Sequence, residues 1–309
     1  MGKKGQRGLW DSLLDTLSCR PDSCRPDRPF CPAGRGNMCS ADGGEHDDGA
    51  DSAGSEDDLS GRPLEWRPAA VVEGGGRYTG QWCGGWRHGE GMLERSDGSR
   101  YQGSFCRGRA HGQGRFESAD GGSTYLGQWE ADRAHGHGTF TKAGGGKYEG
   151  QWCCDQKSGS GMETWADGSR YNGEYDGGKK HGAGVYWSPD GISYQGQFVG
   201  DRMHGEGMYS FTDGRSYVGQ WREGQMNGRG KMTWPSGAVY EGGYVCGAKG
   251  GEGMFTWSDG RVYRGQWHGG QQHGEGVAID AKGHVIRGCW HRGELKPAGG
   301  QSSLWQAAA

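Results

Sequence analysis

Nine tyrosines recur at a fixed interval: Tyr78, Tyr101, Tyr125, Tyr148, Tyr171, Tyr194, Tyr217, Tyr240 and Tyr263. The step is 23 residues throughout, save one of 24 between Tyr101 and Tyr125, where the extra residue falls around Gly121 and Gly122. A tenth, shorter phrase starts at Ile286 and stops after Gly293. A period of this length constrains the fold before any motif constrains the chemistry, because each unit must cover its apolar side with copies of itself.

Within each unit the order of residue types is also fixed. Two residues after the opener comes Gly, as in Gly80, Gly103 and Gly127. Two further on comes a ring: Trp82, Phe105, Trp129, Trp152, Tyr175, Phe198, Trp221, Tyr244 and Trp267, with Trp290 in the half unit. Opener, glycine and ring share one parity, so in a strand they face the same side. The glycine then leaves room for rings from a neighbouring strand. Eleven and thirteen residues after the opener come two more glycines, such as Gly89 and Gly91. His88, His111, His135, His181, His204 and His273 precede the first of them, and Ser158, Asn227 and Gly250 replace His elsewhere. Apolar residues follow, as in Met208-Tyr209, and then Asp-Gly, as in Asp97-Gly98 and Asp213-Gly214. Asp-Gly between extended runs is a strong hairpin signal.

The unit therefore reads as strand, loop, strand, tight turn, with the second strand after the paired glycines. The expected fold is all-β: an elongated, twisted antiparallel single-sheet ribbon of nine to ten hairpin repeats. Two strands at about 4.8 Å each advance the ribbon by roughly 10 Å per unit.

Composition agrees. Of 309 residues 68 are Gly and only 9 are Pro, with no Gly-X-Y period, so collagen is excluded. The 14 Trp, 13 Tyr and 7 Phe argue for order despite a hydrophobic share of 31%. A formal charge of −3 makes no case for nucleic acid as partner. No apolar run is long enough to span a membrane or to follow Lys3, Lys4 and Arg7 as a secretory signal. An intracellular protein with reduced thiols is expected.

Residues 1–65 are written differently and are expected to be a disordered tail. Between 42 and 58 stand eight acidic residues and no Lys or Arg. Leu9, Trp10, Leu13, Leu14 and Leu17 fall on one face of a possible short helix over 9–17, suited to a partner or a membrane surface. Gly2 follows Met1, but Gln6 stands where an acylation pattern wants Ser or Thr. The repeat ribbon is placed at 66–296 and a C-terminal tail at 297–309, whose Leu304 and Trp305 are candidates for a cap.

The phrase Tyr-x-Gly-x-Trp-x-x-Gly-x-x-His-Gly-x-Gly, then an apolar residue and Asp-Gly, resembles the MORN (membrane occupation and recognition nexus) repeat over residues 78–293. The resemblance implies protein–protein scaffolding in cytoskeletal, ciliary or membrane-associated assemblies, in the cytoplasm. Some family members are regulatory portions of phosphoinositide kinases or of a histone methyltransferase, with a separate catalytic domain. Nothing in this chain reads as one, so no enzyme, no cofactor and no metal are expected.

The residues themselves favour that reading. One His per unit cannot gather the donors a zinc ion needs, so the His position is read as structural. Cys19, Cys24, Cys31 and Cys39 are spaced too irregularly for a structural zinc site. Cys153 and Cys154 are neighbours whose side chains are expected to point opposite ways. No nucleophile elbow or phosphate loop occurs. What remains is surface. The candidate partner-binding face is the aromatic one made by the nine openers and their nine following rings, on which a helix or peptide of another protein would lie. Two alternatives stay open. Arg87, Arg109, Arg133, Lys157, Lys180, Arg202 and Lys249 flank the His position and suggest a basic edge for anionic phospholipid. Open strand edges at the ribbon ends suggest self-association.

Overall fold

The computed structural model describes residues 62–296. The expectations for the helix at 9–17, the acidic stretch, the tail cysteines and the C-terminal cap lie outside those residues.

The described residues form one 21-stranded antiparallel sheet. Its first strands are β1 (Glu65–Val71), β2 (Arg77–Cys83) and β3 (Trp86–Glu94), and its last are β20 (Val285–His291) and β21 (Glu294–Lys296). Each strand pairs with its neighbours in sequence, from β1–β2 to β20–β21. β1 belongs to no full repeat. It starts at Glu65 and forms the first edge, with a register shift between Arg67 and Ala70.

The hairpin differs from the expected one in where it turns. A seven-residue strand is followed at once by a two-residue turn, then by a nine-residue strand that already contains the paired glycines. Both turn residues have positive φ, for example Arg107 at 47° and Gly108 at 80°. That is the hairpin turn whose twist matches the strands. The second strand starts early because a bulge absorbs the spare residue: the register shifts between Gly80 and Trp82 where it faces Gly89, which has φ 68°. Asp-Gly sits in the looser connection to the next unit. There Gly98 N–H donates to the Arg95 carbonyl at 3.0 Å, and the Asp97 carboxylate accepts from Ser99 N–H at 2.8 Å. That bond holds the Asp97 carboxyl below its usual range.

Across the sheet the glycines stand opposite one another. Gly80 faces Gly91, Gly91 faces Gly103, and the row continues to Gly276 facing Gly288. Each opener's ring lies over this row. A Cβ on Gly91 would stand 2.5 Å from Cζ of Tyr78. The core is therefore not between two layers. It is a single layer of tyrosine rings laid on a glycine track. In the half unit Ile286 replaces Tyr, and Leu295 of β21 covers Gly288 instead.

Candidate functional site

The structure places the eighteen candidate rings in the core of that layer. All nine openers are 0–1% exposed, and of the nine rings that follow them only Trp82 is more than slightly accessible. Each tyrosine packs edge-on between the ring of its own unit and that of the next. Tyr78 meets Trp82 at 5.3 Å and Phe105 at 5.0 Å, and Tyr148 meets Trp152 at 5.1 Å and Tyr175 at 5.2 Å. The alternation runs unbroken to Tyr263 and Trp290, as edge-to-face geometry favours.

The opener hydroxyls and four of the indoles are satisfied as well, whereas the buried indole nitrogen of Trp82 has no hydrogen-bond partner among the described residues. Each opener hydroxyl donates to the carbonyl three residues on, where the register shifts: Tyr78 to Gln81 at 2.8 Å, Tyr171 to Glu174 at 3.0 Å. Trp129, Trp152, Trp221 and Trp267 donate their indole N–H to the carbonyls of Gly114, Gly138, Gly207 and Gly253. Burial pushes the phenols of Tyr78, Tyr194, Tyr217 and Tyr263 up to about 12. With so little ring area open, these residues form the packed core of the sheet.

The accessible rings of the same face are ones the sequence reading passed over. They stand 15 and 17 residues after the openers: Phe140, Trp165, Tyr186, Tyr209, Phe211, Trp234, Phe255 and Trp257, all half-buried. Phe255 touches Trp234 at 5.3 Å and Trp257 at 4.6 Å, and Phe211 touches Tyr209 at 4.5 Å. The earlier units carry Arg95, Ser118 and Lys142 at the outer of these two positions, so the outer rings belong to the later units. The signal was present as a second parity-matched column, masked by its patchy occupancy.

The seven basic residues do not make one edge. The four that stand nine residues after an opener lie opposite the core rings and fold over them. Arg87 lies 5.6 Å from Phe105, Lys157 5.1 Å from Tyr148 and Lys180 4.8 Å from Trp165. Lys249 sits among four rings, 4.4 Å from Trp267 and 4.6 Å from Phe255, and burial pushes its ammonium down to about 8. Arg109, Arg133 and Arg202 come one residue earlier and are exposed at strand starts, where Arg202 pairs with Glu223. The other face of the sheet shows exposed apolar residues such as Met92, Leu126, Met254 and the facing pair Met208 and Val218, interrupted by Arg115, Glu149 and Lys231.

One expectation about the cysteines is overturned. Cys153 and Cys154 do not diverge: their Sγ atoms are 3.9 Å apart. Cys154 is the first turn residue of its hairpin, with φ 51°, so strand alternation no longer applies to it.

A family model, the MORN repeat, matches nine times in succession, from 78–100 to 263–285, and so covers well over half of the chain. The chain belongs to the MORN repeat family. This family is a structural scaffold repeat and not a catalytic one. No curated protein matches the chain as a relative. Among solved structures, the TCP10 domain of Danio rerio CPAP is similar at 14% identity and a TM-score of 0.36, covering 71% of this chain and 96% of that one. The same domain with a peptide of Danio rerio STIL gives 14% and 0.35, over 73% and 97%. The Drosophila melanogaster SAS-4 TCP domain, with a proline-rich motif of Ana2, gives 11% and 0.26, over 58% and 90%. At such identities and scores these likenesses carry no argument about this chain.

Proposed function

We propose that this MORN chain is a non-enzymatic scaffold that holds a segment of another protein against the ring-bearing face of its sheet, in a cytoskeletal, ciliary or membrane-associated assembly. The observation that carries this reading is the half-buried row from Phe140 to Trp257 beside the closed tyrosine layer. A scaffold needs its core rings for stability, and these rings are the ones with area left to give a partner. A sheet locked by the glycine track changes little on binding, so little of the contact energy goes into ordering it. Lys180 and Lys249, standing over the row, favour a segment with apolar anchors and acidic neighbours.

The test is capture of partners by the tagged full-length chain from its own cells in gentle detergent, with matched variants. A protein held stoichiometrically by the native chain and by Met92→Ser/Met208→Ser, and lost from Tyr209→Ser/Trp234→Ser/Trp257→Ser, is the expected result. Equal capture by all three chains would remove the ring row from the proposal. Salt-sensitive binding to anionic vesicles without any protein partner would favour the phospholipid reading instead.

A further inference from the structure

The hairpin turn at Cys154 gathers more than two thiols. His135, Cys153 and Cys154 each offer a ligand atom, and these atoms all lie within 4.8 Å of one another. Among the described residues no other three His, Cys, Asp or Glu side chains are grouped this way. The three come from two adjacent hairpins. Cys153 ends β8 (Lys147–Cys153), Cys154 opens the turn after it, and His135 lies in β7 (Arg133–Thr141).

Their approach is built into the backbone. Asp155, the second turn residue, donates its N–H to the Ala134 carbonyl at 3.0 Å, and its carboxylate accepts the Ala134 N–H at 2.7 Å. This two-bond clamp fixes the Cys154-Asp155 turn beside Ala134-His135. Positive φ at Cys154 then brings its sulfur round to that of Cys153. Glu130 contacts the imidazole, with Oε2 3.2 Å from His135 Nδ1. A carboxylate on a histidine is the usual outer support of a metal ligand.

Size and chemistry select the ligand. Around a tetrahedral zinc with bonds of about 2.3 Å, two thiolates stand roughly 3.8 Å apart. The sulfurs here are at 3.9 Å, too far for a disulfide and right for a shared ion. Two thiolates and one imidazole suit a borderline-soft cation and not magnesium or calcium. All three residues are half-buried, so solvent can reach the ion and fill a fourth position.

We propose that His135, Cys153 and Cys154 form a binding site for one thiophilic divalent cation of the zinc class. As the ion binds, both thiols give up their protons to solvent and the two thiolates offset its charge. The site joins the hairpins opened by Tyr125 and Tyr148, and its effect is to pin that junction.

The test uses the full-length chain, reduced and freed of metal, titrated with Co2+ and then with Zn2+ in competition with a chromophoric chelator. Because Cys19, Cys24, Cys31 and Cys39 are also present, the comparison is made in the native chain and in one with those four changed to Ser. Sulfur-to-cobalt charge-transfer bands at one ion per chain are expected in both. They should disappear in Cys153→Ser/Cys154→Ser, persist in Cys106→Ser/Cys246→Ser, and weaken with a roughly 10- to 100-fold loss of affinity in Glu130→Gln. Far-ultraviolet circular dichroism confirms that each variant keeps its sheet. Bands that survive Cys153→Ser/Cys154→Ser, or that vanish when only the tail cysteines are changed, would overturn the proposal, as would the absence of bands from the reduced native chain.

Discussion

A single opener tyrosine performs three tasks. Its ring covers two facing glycines, its edges meet two neighbouring rings, and its hydroxyl satisfies a carbonyl at the bulge. These tasks separate by substitution. Tyr171→Phe keeps the ring contacts with Tyr175 and Phe198 and loses the bond to the Glu174 carbonyl, at a cost of about 1 kcal/mol. Tyr171→Ala loses everything and uncovers the track, at about 3–5 kcal/mol. Urea unfolding of the two variants measures the ratio. Alkali probes the same residues together. Tyr78, Tyr194, Tyr217 and Tyr263 ionise near 12 in the fold and near 10.0 when open to water, so the fold prefers the protonated phenol. Their contribution is complete below pH 10 and is lost as pH rises through about 12. Phenolate absorbance should therefore lag that of the denatured chain and then rise together with loss of the sheet signal. Ionisation at pH 10 with the sheet intact would contradict burial of the openers.

At the scale of the strand pair, the glycine track is the row that tolerates no side chain. Gly173 faces Gly184, and Gly184 faces Gly196. A Cβ on Gly184 would stand 2.6 Å from Cε2 of Tyr171, a collision with a ring that has no other place to go. Gly184→Ala is expected to cost at least as much as Tyr171→Phe and more than Ala at the exposed turn residue Gly178, although Gly178 has φ 81°. Thermal unfolding of the pair decides between crowding and backbone freedom. Much of this was legible: the parity of Tyr, Gly and Trp placed them on one face. The turn was not. Its first position holds Gly, Arg, Ala, Cys or Glu with positive φ, and no Asn-Gly or Asp-Gly marks it. The bulge at the paired glycines determines where it falls, and a bulge has no sequence signature apart from the partner strand.

At the scale of the whole sheet, every strand leans on the next and on no distant segment, so stability accumulates unit by unit. Deleting residues 194–216, one period, brings Tyr217 into the place of Tyr194 and preserves every facing pair. The product should fold, with a urea m-value about a tenth lower. Deleting 194–205 puts the wrong residues opposite each other and should leave the chain aggregated or unfolded by circular dichroism and sedimentation. Equal behaviour of the two deletions would mean that register is not what the repeat specifies.

What the sequence determined by itself was everything that follows from period and parity: an all-β chain, antiparallel hairpins, nine units and a fraction, and a ring column sharing a face with a glycine column. Those are local rules repeated, and repetition makes them readable. The tertiary structure decided how much of each ring is left over. Tyr78 and Trp165 are both large aromatic residues on the same face, yet one is wrapped by rings of two units and the other stands at the end of its strand beside the loop. It also decided that Cys153 and Cys154 converge on His135, because only a turn with positive φ, clamped to the preceding hairpin, turns neighbouring side chains toward each other. Exposure and convergence depend on residues about 20 positions away, and no local pattern encodes that distance.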